Sequence, residues 1–214
     1  MTVLHVRPRS APGLTRRQLL RTGIAGAVPA TAIPAIAALA DPGAATAATK
    51  AKMPTEAQAL TAALRVEQLA VFAYQRAIAN PQLGPEARGV ATAFLGQEQA
   101  HLAALAAQAA VAGVGLVPPP VDVAAADQEL ATLHVRGLSD VHSEKDQLKL
   151  LIAIEELCEG TYYVALGAMG NAGLLTTAAE IWANEAQHAT ALRSLVYGDD
   201  PKKTVPSGFA EGRH

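Results

Sequence analysis

Apolar side chains recur at steps of three and four residues along most of the chain after residue 53. That spacing puts them on one side of an α-helix and predicts amphipathic helices rather than strands. Asn80-Pro81 and Gly113 lie where the first two patterns stop, as expected for helix ends. Four long helices are therefore predicted, over about residues 54–80, 85–112, 144–166 and 174–196.

A connection of about thirty residues separates the second predicted helix from the third. It contains Pro118-Pro119-Pro120, which interrupts helical structure, and has room for one short helix near residues 124–133. A connection of this length reaches farther than the ~37 Å of a 25-residue helix, so it can run the length of a bundle. The sequence predicts an all-α four-helix bundle over residues 54–197, with one long crossover between helices two and three, and a loose polar tail over residues 198–214.

The two predicted helical hairpins resemble each other. In sequence, residues 94–101 align with residues 181–188 at an offset of 87. Residues 66–77 align with residues 154–165 at an offset of 88. Alanine-rich helices match one another easily, so the matched Glu, His and Tyr positions carry the argument. An internal repeat of this length indicates a bundle built from two repeated helical hairpins.

The matched polar positions form a pattern suited to metal binding. Two Glu-x-x-His motifs lie on helices two and four, and each motif puts its two side chains on one helix face. Glu67 and Glu155 lie on the apolar stripes of helices one and three, where a carboxylate is costly unless it is paired or binds a metal. Two divalent cations would balance four carboxylates, and carboxylate with imidazole suits iron or manganese. The predicted metal ligands are Glu67, Glu98, His101, Glu155, Glu185 and His188.

The ligand on helix three has alternatives, because Glu155, Glu156 and Glu159 all lie in the same stretch. The repeat favours Glu155, since Tyr162 then matches Tyr74 seven residues beyond Glu67. Glu156 remains the alternative ligand, and Glu159 an extra or supporting acid. Tyr74 and Tyr162 are the candidate catalytic residues: they could donate hydrogen bonds to ligands or relay electrons, or simply fill the core.

The amino-acid composition excludes several classes of protein. Half of the 214 residues are hydrophobic but only 4% are aromatic, which is typical of closely packed, alanine-rich helices. The single cysteine, Cys158, excludes an internal disulfide framework and a metal site built from four cysteines; it is expected to be a small buried residue. The net charge of −2 gives no large basic surface, so no nucleic-acid partner is predicted.

The first forty residues differ in charge from the rest, with five arginines and no acidic residue. Arg16 and Arg17 directly precede the apolar stretch of residues 22–40, and this arrangement resembles a twin-arginine export signal. A membrane anchor is the alternative, but two prolines in the stretch disfavour it. We expect a signal over residues 1–40, a linker over residues 41–53, and passage through the twin-arginine export machinery of the cytoplasmic membrane to the periplasm, the cell envelope or the medium.

One Glu from each of two helices and Glu-x-x-His from each of the other two resembles the ferritin-like superfamily of di-iron carboxylate bundles, and exported bacterial ferritin-like proteins in particular. The resemblance implies two iron ions, or manganese, bridged by Glu98 and Glu185 and flanked by Glu67 and Glu155. It implies oxidation of Fe(II) or reduction of O2 or peroxide, with an unidentified electron donor, and a homodimer formed through bundle faces. A manganese-catalase-like enzyme and a non-catalytic envelope or stress protein, buffering metal or purely structural, are the alternatives.

Overall fold

The computed structural model of the chain describes residues 53–210 and residue 212, and this part of the chain is helical without any strand. The export signal and almost all of the linker predicted from the sequence lie outside the described residues. The all-α fold is confirmed. Its helices are α1 (Glu56–Ala79), α2 (Pro85–Ala112), α3 (Val123–Thr132), α4 (Glu144–Ala168), α5 (Ala172–Tyr197) and α6 (Pro201–Thr204), with a 3-10 turn at Leu138–Asp140.

Local sequence signals set the ends of the long helices. Thr55 and Gln58 form a capping box at the start of α1, in which each side chain bonds the other residue's backbone N–H. Ser143 caps α4 by accepting a hydrogen bond from the Asp146 amide. At the end of α2, Gly113 takes a left-handed conformation with φ of 65°, which glycine adopts without steric cost. Helix ends were therefore readable from the sequence to within a few residues.

Helices α1 and α4 form the inner pair of the bundle. Hydrogen bonds join Tyr74 to Glu155 and Tyr162 to Glu67, so the chain directions of the two helices are opposite. Half of α1, 12 of 24 residues, and 15 of the 25 residues of α4 are buried. In the outer pair only 6 of 28 residues of α2 and 7 of 26 residues of α5 are buried. The inner pair is more deeply buried because the crossover also packs on it.

The crossover packs on the inner pair of helices. Ala126 and Leu130 of α3 belong to the same apolar cluster as Leu150 and Leu151 of α4. An ion pair between Arg65 of α1 and Glu129 of α3 holds the crossover helix in place. The long connection predicted from the sequence thus spans the bundle, and it adds apolar contacts to the pair of helices that it crosses.

The core has two apolar clusters with a layer of Glu and His side chains between them. One cluster contains Tyr74, Ile154 and Leu192, and the other contains Leu64, Leu105 and Tyr162. On α2 and α5 the two clusters lie on opposite sides of the Glu-x-x-His motif, and on α1 and α4 they are divided in the same way except at Val66, Leu157 and Cys158. The polar layer is consequently sealed by apolar side chains above and below.

Two details differ from the sequence prediction. Helix α5 begins at Ala172, two residues earlier than predicted, because the Asn171 side chain caps it. After Tyr197 the chain forms α6, where a loose tail was predicted. Asp200 caps this short helix and Thr204 is buried. No helix in the described part of the chain is long and apolar enough to cross a membrane.

Candidate metal centre

The structure brings the six predicted ligands together in the polar layer. The four glutamates have no exposed surface, and the histidines are buried as well. Their donor atoms form two groups, within each of which all atoms lie within 4.8 Å of one another, and both groups share Glu98 and Glu185. The first group is Glu67, Glu98, His101 and Glu185, and the second is Glu98, Glu155, Glu185 and His188.

The first group is centred on the His101 ring. Its Nδ1 atom lies 3.0 Å from Oε1 of Glu185, and 3.5 Å from Oε2 of both Glu67 and Glu98. Glu67 comes from α1 and Glu185 comes from α5. Tyr162 of α4 donates a hydrogen bond to Glu67, so all four long helices contribute to this group. One nitrogen and three carboxylate oxygens therefore converge on one point.

The second group repeats this arrangement around His188. Its Nδ1 atom lies 2.8 Å from Oε1 of Glu98, 3.5 Å from Oε2 of Glu155 and 3.7 Å from Oε2 of Glu185. Glu98 and Glu185 thus turn one oxygen toward each histidine. A carboxylate that faces two sites in this way is suited to bridge two metal ions.

Eight donor atoms of the cluster are buried and contact one another, and none of them has a hydrogen bond to a described residue outside the cluster. A metal ion bound at about 2.0–2.2 Å from each donor would fit groups of this spacing with small side-chain movements. Two ions with four donors each would use all eight atoms. The atoms are Oε2 of Glu67 and Glu155, both carboxylate oxygens of Glu98 and Glu185, and Nδ1 of His101 and His188.

The buried carboxylates favour the protonated form of both histidines. Burial alone would lower the pKa of His101, but contacts with Glu185, Glu67 and Glu98 raise it to about 12. Burial likewise acts against a charged His188, and contacts with Glu155 and the two shared carboxylates raise its pKa to about 11. Both imidazoles are therefore protonated at neutral pH, and a metal ion must displace these protons from the ligands.

The carboxylates respond to burial in different ways. Burial raises the pKa of Glu67 to about 8, against the opposing effect of His101. Burial, with repulsion from Glu155 and Glu98, raises the pKa of Glu185 well above its ordinary value. Burial would also raise the pKa of Glu98, but contacts with His101, His188 and Glu67 outweigh it and lower the pKa to about 2. Such opposed shifts are typical of functional clusters.

Tyr74 and Tyr162 each form a hydrogen bond to a glutamate of the other inner helix. The Tyr74 hydroxyl donates to Oε1 of Glu155, and the Tyr162 hydroxyl donates to Oε1 of Glu67. Each tyrosine therefore holds the glutamate of the opposite helix and leaves that glutamate's Oε2 directed at a histidine. Burial, reinforced by nearby carboxylates, raises the pKa of both phenols well above the usual value.

Two carboxamides that the sequence analysis did not assign hold the histidines. Nε2 of His101 lies 3.0 Å from the side-chain oxygen of Asn184, and Nε2 of His188 lies 2.7 Å from that of Gln97. Each carboxamide precedes a Glu-x-x-His motif and contacts the histidine of the other motif. The sequence repeat could have identified these two residues, because it aligns Gln97 with Asn184.

On α4 the structure places Glu155 in the cluster. Glu156 instead accepts a hydrogen bond of 2.9 Å from Arg193. Glu159 is buried but belongs to neither group, and its burial raises the pKa of its carboxyl. Cys158 is fully buried in the apolar cluster that contains Tyr74, and it belongs to neither group of donor atoms.

The two halves of the centre differ in their surroundings. Phe94 stacks on the His188 ring with a centroid distance of 4.0 Å and an interplanar angle of 22°. The repeat places an aliphatic residue, Ile181, at the position that corresponds to Phe94. His188 is 1% exposed, whereas His101 is 8% exposed. The His101 half is therefore the side of the centre nearer to solvent.

A helical bundle whose core presents carboxylates and histidines from all four long helices is the architecture of ferritin-like proteins. The model of the ferritin-like domain family matches residues 55–198, and the chain belongs to this family. The buried cluster is compatible with a dinuclear metal site.

A solved structure supports the fold. The chain is similar to a conserved hypothetical protein, rv2844, from Mycobacterium tuberculosis, with 16% sequence identity and a TM-score of 0.56. The similarity covers 66% of this chain and 89% of that one. At this identity the similarity concerns the fold alone. Among curated proteins there is no significant match to the chain.

Proposed function

We propose that the chain binds two iron ions in the Glu and His layer and acts as an oxidoreductase that oxidises Fe(II) or reduces O2 or peroxide. The observation that carries the proposal is the set of eight buried donor atoms that face one another, with four converging at each of two points. The two histidines can carry at most two positive charges against four buried carboxylates, and a buried carboxylate is costly unless it is paired or binds a metal.

The donor set supports iron, with manganese as the alternative. Each group offers three carboxylate oxygens and one imidazole nitrogen, a mixture that suits iron and manganese. Two divalent ions would also balance the charge of four carboxylates in a layer sealed from water. When bound, an iron pair supplies the electrons with which O2 or peroxide is reduced.

The protein's own residues prepare this site. Tyr74 and Tyr162 hold the outer carboxylates so that one oxygen of each stays directed inward. Gln97 and Asn184 accept from Nε2 of the histidines, which leaves Nδ1 available for a metal. The apolar clusters above and below keep water out and so strengthen the interaction between the carboxylates and the ions.

Metal analysis of the purified chain tests the proposal, with a matched pair of variants. We expect two iron ions per chain, and consumption of O2 or peroxide when Fe(II) is added. Glu98→Ala removes a shared carboxylate and should abolish binding of both ions, whereas Glu86→Ala changes an exposed residue in the first turn of the same helix and should not. Equal iron content in the two variants would contradict the assignment.

Other outcomes identify the alternatives. Two manganese ions with decomposition of peroxide would favour a manganese-catalase-like enzyme. A folded chain that takes up no metal, or that leaves Fe(II) oxidation at the rate of buffer alone, would favour a non-catalytic ferritin-like protein of the envelope or of stress responses.

We also propose that the protein acts outside the cytoplasm, on the strength of the paired arginines and the apolar stretch after them. Fractionation of cells that express the full chain tests this. Replacing both Arg16 and Arg17 by lysine should retain the protein in the cytoplasm, because the export signal depends on the arginine pair. An unchanged distribution would contradict twin-arginine export.

A further inference from the structure

One buried carboxylate lies near the metal centre without belonging to it. Glu159 of α4 comes one helical turn after the ligand Glu155, is 5% exposed, and is part of neither group of donor atoms. No hydrogen bond or ion pair joins its side chain to another described residue. A buried carboxylate without such a partner lowers the stability of a fold, so packing alone does not explain this residue.

The internal repeat gives this carboxylate no counterpart in the first hairpin. The offset of 88 that aligns Glu67 with Glu155 also aligns Val71 with Glu159. Val71 is an apolar residue of the core on α1. The extra carboxylate therefore accompanies only the half of the centre to which Glu155 belongs, and this is the His188 half.

The His188 half is sealed more tightly than the His101 half, yet protons must still pass through it. The side chain of His188 is 1% exposed and Phe94 covers its ring, whereas the side chain of His101 is 10% exposed. Metal binding releases protons, because ligands must be deprotonated. The proposed reduction of O2 or peroxide takes protons up, since the oxygen leaves as water. The sealed half therefore requires a group that carries protons.

We propose that Glu159 passes protons between bulk water and the His188 half of the centre, a role that rests on the metal binding proposed above. Oε2 of Glu155 lies 3.5 Å from Nδ1 of His188. Residues four apart on a helix are neighbours, with Cβ atoms about 5–6 Å apart, so a proton can pass from Glu155 to Glu159. Glu159 then gives that proton to water and returns to its starting state, and the same path runs inward when protons are consumed.

The surroundings of Glu159 suit this transfer. Burial raises the pKa of its carboxyl against the attraction of Arg193, and repulsion from Glu156 and Glu155 adds to the rise. Arg193 is paired with Glu156 at 2.9 Å, so it does not hold Glu159 in an ion pair. A carboxyl whose pKa moves toward neutrality takes up and gives a proton more readily near neutral pH. Its small exposure also provides the contact with water that Glu155 lacks.

Proton release during loading of the full chain with cobalt(II), a probe that needs no redox step, tests this role. Stopped-flow mixing with a pH-indicator dye should show a slower phase from the sealed half and two cobalt ions per chain. Glu159→Gln keeps the shape but carries no exchangeable acid proton, so it should slow that phase by about 100-fold and leave the number of bound ions unchanged. Glu180→Gln is the matched control, because it removes an exposed carboxylate of α5 and should not change the rate.

A second variant separates proton transfer from a structural effect. Glu159→Ala leaves space for a small carboxylate, so added formate should restore the slow phase, whereas chloride at the same concentration should not. With folding verified by circular dichroism, wild-type kinetics in Glu159→Gln or no recovery with formate in Glu159→Ala would overturn the role and leave the metal centre intact. Loss of one cobalt ion in Glu159→Gln would also overturn it, because Glu159 would then be a ligand. A wild-type chain that binds no cobalt would refute the metal centre itself, and this role with it.

Discussion

The inner and outer helix pairs are held in the bundle by different means. The inner pair, α1 and α4, buries more than half of its residues overall and has apolar neighbours on both sides. In α2 the buried residues are three alanines, two metal ligands and one large apolar residue, Leu105. The predicted metal ligands therefore make up four of the 13 buried residues of the outer pair, but only two of the 27 buried residues of the inner pair.

The largest effect should come from the apolar core of the inner pair. Ile154→Ala removes a fully buried side chain of α4 and should lower the free energy of unfolding by about 2–5 kcal/mol. Leu95→Ala in α2 removes a partly buried side chain and should cost about 1 kcal/mol. Urea unfolding of the metal-loaded proteins measures both. Equal losses of unfolding free energy in the two variants would show that apolar packing stabilises both helix pairs to the same extent.

Metal removal should loosen the outer pair more than the inner pair. A metal supplied at about 100 times its dissociation constant stabilises the fold by about 2.7 kcal/mol, and this contribution is lost on chelation. Amide hydrogen exchange should then accelerate most in α2 and α5 near the Glu-x-x-His motifs, since the predicted ligands make up four of the 13 buried residues of these two helices. Uniform acceleration in all four helices would contradict the proposed difference between the pairs.

The carboxamides of the outer pair should influence metal affinity through the histidines. Gln97→Leu and Asn184→Leu each remove the partner of a histidine Nε2 and should weaken metal binding by about 10-fold to 100-fold. Gln99→Leu and Gln187→Leu are matched controls, because these exposed residues lie inside the same two motifs and make no hydrogen bond to described residues. Competition with a coloured chelator measures the affinities. Equal effects of test and control variants would exclude an orienting role.

The tyrosines of the inner pair should have the smallest effect. Tyr74→Phe and Tyr162→Phe keep the ring that packs in the core and remove one hydrogen bond to an outer glutamate. The loss in unfolding free energy should be about 1 kcal/mol. If these residues also relay electrons, oxidation of Fe(II) should slow while metal content stays at the wild-type level. An unchanged rate of Fe(II) oxidation would show that the tyrosines only position the outer glutamates.

Much of this organisation can be predicted from the sequence, because helical spacing and capping residues act locally. Thr55, Ser143 and Gly113 define helix ends in their own segments, and the repeat aligns Glu67 with Glu155 without knowledge of the fold. The crossed contacts could not be predicted. Whether Gln97 reaches the histidine of its own motif or of the other depends on the rotation and separation of α2 and α5, which tertiary packing sets.

The two hairpins are repeated but not identical: Phe94, whose ring stacks on His188, corresponds in the repeat to the aliphatic Ile181. Two iron nuclei held in these surroundings would experience unequal electric-field gradients. A Mössbauer spectrum of the loaded protein would accordingly show two quadrupole doublets, and isotopically labelled iron would exchange first into the half that is closer to bulk water.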